Sequence, residues 1–109
     1  MIIIPASDHL IIQKITDAPS DTYIIFYSPG CYYSDLALGL LRKSKVKYKG
    51  YVIEKIPNVE NLQQMLTVFE RNSPLVGFDP GHKTKPIIFF NGQFLGGYTE
   101  LREKIDKKI

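Results

Sequence analysis

The chain has 109 residues, of which 44% are hydrophobic and 23% charged, with a net charge of +3. That length suits one domain with a single modest core, and the composition is that of a globular protein, not a disordered tail. No apolar run approaches the roughly 20 residues of a membrane helix, and the single cysteine excludes an internal disulfide and argues against structural zinc.

The opening MIIIPASDHLII is apolar, but Pro5, Asp8 and His9 interrupt it and no basic residue precedes it. It therefore reads as part of the fold, not as a signal peptide. Residues 1–20 form an N-terminal extension with helical character, in which Ser7 caps a helix carrying Leu10, Ile11 and Ile15, while Ile2 to Ile4 can add a short strand. The run Tyr23-Ile24-Ile25-Phe26-Tyr27 has no polar face, which predicts a central strand covered on both sides. Ser28-Pro29-Gly30 ends it.

From Cys31 to Lys43, Leu36, Leu40 and Leu41 recur at helical spacing with Ala37 beside them, predicting a helix whose leucine face meets a sheet. Lys45, Lys47 and Lys49 alternate with Val46 and Tyr48, the pattern of an edge strand whose lysines discourage further pairing. Pro57-Asn58 predicts the start of a second helix, capped by Asn58 and buried along Val59, Leu62, Leu66 and Phe69. A loop rich in Pro and Gly follows between Asn72 and Lys83. Pro86 precedes the strand Ile87–Phe90, Asn91-Gly92 is a two-residue hairpin turn, and Gln93-Phe94-Leu95 returns. After Gly96-Gly97 a last helix runs from Thr99, with Leu101 and Ile105 facing inward.

Right-handed crossovers make the first two strands parallel, and the hairpin adds an antiparallel pair. The expected architecture is an α/β domain spanning 1–109, with a mixed four-stranded sheet flanked by helices on both faces. The lysines at 43, 45, 47, 49, 104, 107 and 108 can attract an anion, although charge runs of this kind mostly solubilise. No zinc-finger spacing, P-loop or RNA-binding aromatic signature accompanies them, so nucleic acid is not an expected partner.

Three segments carry chemistry. Cys31 stands where a strand ends and a helix begins, and free N–H groups with the positive end of the helix dipole favour a thiolate there. Such a nucleophile needs no general base, and His82, a loop histidine, reads as solvated, not catalytic. Thr84-Lys85-Pro86 can open a backbone edge to an extended peptide if the bond before Pro86 is cis, although a plain strand-start proline fits the residues too. Gly96-Gly97-Tyr98-Thr99-Glu100 permits close backbone approach and offers helix N–H groups to a carboxylate, although a glycine pair is also a turn and Thr99 an N-cap.

Together the stretches YIIFYSPGCYYS, GHKTKPIIFFNGQF and LGGYTELREKI resemble the glutaredoxin family, somewhat in its phage or viral form. They match that family's C-x-x-C or C-x-x-S turn, its T-V-P segment with strand, and its G-G-x-[TSD]-[DE] turn, over Thr22 to Ile109. The resemblance implies a thioredoxin-like fold with cis-Pro86, cytoplasmic residence, a monomer, no membrane association and glutathione as co-substrate, with no metal. It implies Cys31 as nucleophile, Tyr33 beside the tripeptide, and Lys83 towards its glycine carboxylate. Thr84, Lys85 and Pro86 would supply a backbone edge, and Gly97, Tyr98 and Thr99 would receive the γ-glutamyl carboxylate. Ser34 replaces the resolving cysteine of dithiol members, Ser28 a frequent lysine, and Lys85 the usual valine. The implied activity is deglutathionylation of proteins. Were Ser34 a substitution in a dithiol parent, that parent would also reduce disulfides, ribonucleotide reductase being one possible partner. The alternative is an iron–sulfur carrier sharing a two-iron cluster across a dimer. That class has glycine where this chain has Tyr32, and an insertion before the cysteine that is missing here.

Overall fold

The apolar run after Asp21 forms a strand, β1 (Thr22–Tyr27), in which every residue from Thr22 to Phe26 is buried. The computed structural model describes residues 6–107. Helix α1 (Ala6–Thr16) precedes β1. After it come α2 (Tyr32–Lys43), β2 (Lys47–Val52), a 3₁₀ turn (Ile53–Lys55), α3 (Leu62–Arg71), a four-residue helix α4 (Ser73–Val76), β3 (Ile87–Phe90), β4 (Gln93–Gly96) and α5 (Tyr98–Asp106). The sheet order is β2-β1-β3-β4. Strand β2 runs parallel to β1, and β3 and β4 are antiparallel additions. This is the thioredoxin-like arrangement, with β1 central and the lysine-bearing β2 at an edge.

Period-two alternation along β1 and β3 separates two cores. Ile24, Phe26, Ile87 and Phe89 face α1 and α3, meeting Ile12, Ile15, Met65 and Phe69. Tyr23, Ile25 and Ile88 face α2 and α5, meeting Ala37, Leu41, Leu101 and Ile105. The hydroxyl of Tyr23 is buried without a hydrogen-bond partner among the described residues. Burial, with the nearby Asp21 charge adding to it, raises the Tyr23 phenol above its ordinary range. On the other face the buried Asp8 carboxylate ties α1 to α3: Arg71 Nε and Nη2 donate to it at 3.0 and 2.8 Å, and Asn72 Nδ2 donates at 3.0 Å. Hydrogen bonding to Asp8 raises the Arg71 guanidinium above its already high value.

Several local expectations are corrected. Helix α3 begins at Leu62, and its cap is Asn61, whose side chain accepts from the Gln64 N–H at 3.0 Å. Asn58 takes φ +68°, a left-handed conformation unlike the extended one of an N-cap. Val59 is buried but precedes the helix, while Met65 and Val68 join Leu66 and Phe69 on its inner face. The inner face of α2 is Ser34, Ala37, Leu38 and Leu41, so Leu36 and Leu40 lie at its margins. The segment 73–76 is helical, and Phe78 beyond it is buried against Phe69 and Phe94. Helix α1 begins at Ala6, so Ser7 lies inside it and does not precede it. The strand expected at Ile2 to Ile4, and Lys108, lie outside the described residues. No helix among the described residues is long and apolar enough to cross a membrane.

Candidate functional site

Strand β1 delivers the chain to a tight turn. The Cys31 N–H donates to the Ser28 carbonyl at 3.2 Å, closing Ser28-Pro29-Gly30-Cys31. Gly30 takes φ +83° in this turn, a value that L side chains rarely adopt, which explains the glycine there. Cys31 itself is extended (φ −78°, ψ 125°) and caps α2, its carbonyl accepting the Asp35 N–H at 2.9 Å. It is partly exposed. Its thiol thus stands at the end of a helix whose first N–H groups have no intrahelical acceptor.

One turn into α2, Ser34 is fully buried and its hydroxyl accepts the Ser28 N–H at 3.3 Å. Ser28 is anchored a third time: its hydroxyl lies 2.9 and 2.8 Å from the two Glu54 carboxylate oxygens. The residue in the place of a frequent family lysine therefore ties the cysteine turn to the 3₁₀ segment after β2.

Beside this turn runs a groove of about 270 Å³, lined by Tyr33, His82, Thr84, Lys85, Pro86, Gly97, Tyr98, Thr99 and Glu100. The Lys85–Pro86 peptide bond is cis. Tyr32 and Tyr33 are 69% and 55% exposed, and Tyr33 stands 6.2 Å from Tyr98 across the groove mouth. Of the residues expected from sequence, Tyr33, Thr84, Lys85, Pro86, Gly97, Tyr98 and Thr99 meet in this one groove, two residues along from Cys31. Lys83 does not line it; its Nζ lies 3.7 Å from Glu70 on α3. Gly97, not Thr99, caps α5, and the Glu100 carboxylate accepts the Gly97 N–H at 2.7 Å.

Three side chains escaped the sequence reading. His82 is half-buried in the groove with Nε2 3.2 Å from the Pro86 carbonyl, not solvated. Glu100 belongs in sequence to the glycine-pair turn motif, and its spacing of three from Gly97 is a capping signal. Glu54 had no sequence signal, because its partner Ser28 lies 26 residues away. A second cavity of about 260 Å³ lies between α1 and α3, lined partly by Asp8 and Arg71. Among the described residues, no group of three or more His, Cys, Asp or Glu side chains gathers as a metal site would require.

Comparison with known proteins bears on the family and the fold. The chain is 46% identical over 97 residues to a protein of Acanthamoeba polyphaga mimivirus named a probable glutaredoxin, covering 88% of this chain and 89% of that one. No protein-family model matches. A glutaredoxin from buckwheat, solved in complex with glutathione, superposes with a TM-score of 0.71 at 16% identity, over 94% of this chain and 81% of that one. Glutaredoxin C1 from the poplar Populus tremula x tremuloides gives 0.65 at 18% identity, over 94% and 89%. Glutaredoxin 1 from Francisella tularensis gives 0.60 at 24% identity, over 80% and 94%. These three share the fold.

Proposed function

The chain belongs to the glutaredoxin family of glutathione-dependent thiol-disulfide oxidoreductases, and from that premise we propose that it removes glutathione from protein mixed disulfides by a monothiol route through Cys31. In the first step the Cys31 thiolate attacks the glutathione sulfur of a protein–glutathione disulfide. A Cys31–glutathione disulfide forms, the sulfur–sulfur bond between glutathione and the protein breaks, and the protein leaves as a thiolate that takes up a proton. In the second step a glutathione thiolate attacks the glutathione sulfur of that adduct. Oxidised glutathione leaves and the Cys31 thiolate is regenerated. The two steps together consume one free glutathione for each protein thiol released, and its sulfur leaves joined to the glutathionyl group taken from the protein, so electrons balance without any other reductant.

The observation that carries this reading is the position of the sole cysteine, partly exposed at the N-terminal cap of α2, two residues before a tyrosine that lines the groove. The groove suits an anionic peptide in an extended form. Lys85 supplies positive charge and a backbone edge, and the first N–H groups of α5, at Tyr98 and Thr99, suit a carboxylate. The Glu100 carboxylate already occupies the Gly97 N–H, which leaves the next donors for the ligand. Because the sequence has no second cysteine, the adduct can be resolved only by another thiol from outside. Attack of Cys31 on a protein disulfide leaves an enzyme–protein mixed disulfide that no second cysteine can resolve, so such a disulfide is a poor substrate for this chain, whereas a glutathionylated protein in a reducing compartment is a good one.

The test is glutathione-coupled reduction of a small glutathione mixed disulfide. Turnover by this chain, lost in Cys31→Ser, is expected. No turnover by the unmodified chain would refute the proposal.

A further inference from the structure

The two adjacent glycines before α5 are glycines for different physical reasons. Gly96 takes φ +137°, and a Cβ there would lie 2.5 Å from Glu100 atoms, so its backbone alone excludes a side chain. Gly97 has φ −107° and ψ −152°, extended backbone open to any residue. What a Cβ at Gly97 would meet is the imidazole of His82: Cε1 at 3.2 Å, with the Pro86 carbonyl oxygen at 3.5 Å. The bare backbone of Gly97 is therefore matched to one side chain on a different segment.

That side chain is held on several sides. Nε2 of His82 lies 3.2 Å from the Pro86 carbonyl, and a carbonyl can only accept, so Nε2 carries the proton. The ring packs edge-on against Phe94 at 5.2 Å and Phe78 at 6.4 Å, and through Phe94 it joins the aromatic series Phe89, Phe69 and Phe26 of the core. The backbone N–H of His82 donates to the Asp79 carbonyl at 3.0 Å, which fixes the main chain from which the ring projects. One imidazole thus spans from the segment that bears Lys85 to the turn that presents the Tyr98 and Thr99 N–H groups.

We infer that His82 is a positioning residue of the glutathione groove, fixing the Lys85–Pro86 segment at the spacing from the Gly97 turn that one tripeptide must bridge. This deepens the functional reading above and rests on it. Two groups of ligand contacts on separate segments act together only if their separation is held, and a contact misplaced by an ångström loses most of its value. The role needs both features of the ring, its donor and its thickness.

The experiment measures binding of S-methylglutathione, which occupies the groove without exchanging disulfides, through the amide signals of Tyr98 and Thr99. His82→Phe keeps an aromatic ring but lacks the donor, and weakens binding about three- to tenfold, the worth of one neutral hydrogen bond. His82→Gln restores a donor of similar reach and recovers most of that loss. Gly97→Ala weakens binding roughly fivefold or more by crowding. In a His82→Ala background the same change at Gly97 costs much less, because its clash partner is gone. In turnover, His82→Phe raises KM for the mixed disulfide and leaves kcat within about twofold. A merely structural histidine would instead show equal losses in Gln and Phe, and strictly additive effects with Gly97→Ala. Either result overturns the inference, as does His82→Phe binding as tightly as the parent. Failure of the unmodified chain to bind the probe would overturn the functional reading itself, and the positioning role with it.

Discussion

Replacing Ser34 with cysteine tests how the site is built. Ser34 is fully buried one turn beyond Cys31, and its hydroxyl accepts the Ser28 N–H at 3.3 Å. A thiol is a poorer acceptor but a better buried group, so the lost hydrogen bond costs about 0.5–1.5 kcal/mol before the gain from burying sulfur offsets part of it. The fold therefore survives. Residues three apart on a helix have Cβ atoms about 5–6 Å apart, whereas a disulfide requires roughly 3.5–4.5 Å. The turn must close by about 1–2 Å, a movement within reach of an N-cap residue that is not held inside the helix. An effective concentration of only ~1 M, far below the limit for well-oriented groups, would exceed ~1 mM glutathione a thousandfold.

The assay prepares the Cys31–glutathione adduct with oxidised glutathione, removes excess reagent, and follows the adduct mass with time. In the parent the adduct persists until glutathione is added. In Ser34→Cys it disappears spontaneously, with loss of one glutathione and formation of an internal disulfide, and the variant gains reduction of protein disulfides. Persistence of the adduct in Ser34→Cys would refute the reasoning, because position 34 would then be too deeply buried to reach Cys31.

Three further outcomes follow from other contacts. Ser28→Lys alone leaves KM for glutathione within about twofold, because Glu54, 2.8 Å from the Ser28 hydroxyl, captures the new ammonium; adding Glu54→Gln lowers KM about three- to tenfold, as steady-state kinetics will show. A single lysine that lowered KM without the Glu54 change would contradict this. Tyr23→Phe removes a buried hydroxyl that has no partner among the described residues and raises stability by about 1 kcal/mol in denaturant melts. The folded Tyr23 phenol is raised above the unfolded value, so its contribution is intact below about pH 10 and is lost as pH climbs beyond it; the phenylalanine variant loses less stability over that window. Asp8→Ala removes the acceptor of the hydrogen bonds from Arg71 and Asn72 and costs about 2–4 kcal/mol, less than a fully buried pair because Arg71 is 48% exposed and can turn to water. A thermal melt within a degree of the parent would show that this clamp contributes nothing.

Much of the fold is written in local pattern. The apolar run of β1 is buried on both faces. Asn91 and Gly92 take φ +51° and +80° in the hairpin turn, as their residue types demand. The alternating lysines mark the edge strand β2. Helix boundaries were less legible, because two asparagines three apart both suit a cap. Only the packing of Met65 and Val68 selects Asn61 and leaves Asn58 in a left-handed turn. The same holds for α2, where the sheet chose Leu38 over Leu40 for its inner face.

The chemistry of the site divides along the same line. By itself the sequence determined that one thiol stands at a strand-to-helix junction, that a second cysteine is missing, and that a proline-led strand and a glycine pair accompany it. These are properties of neighbouring residues, set by backbone geometry and residue type. Tertiary structure alone decided that Lys83 turns to Glu70, that Ser28 is bound to Glu54, and that His82 occupies the groove against Gly97. Each is a side-chain contact whose partner lies on another segment, at a distance that folding sets and no local pattern encodes.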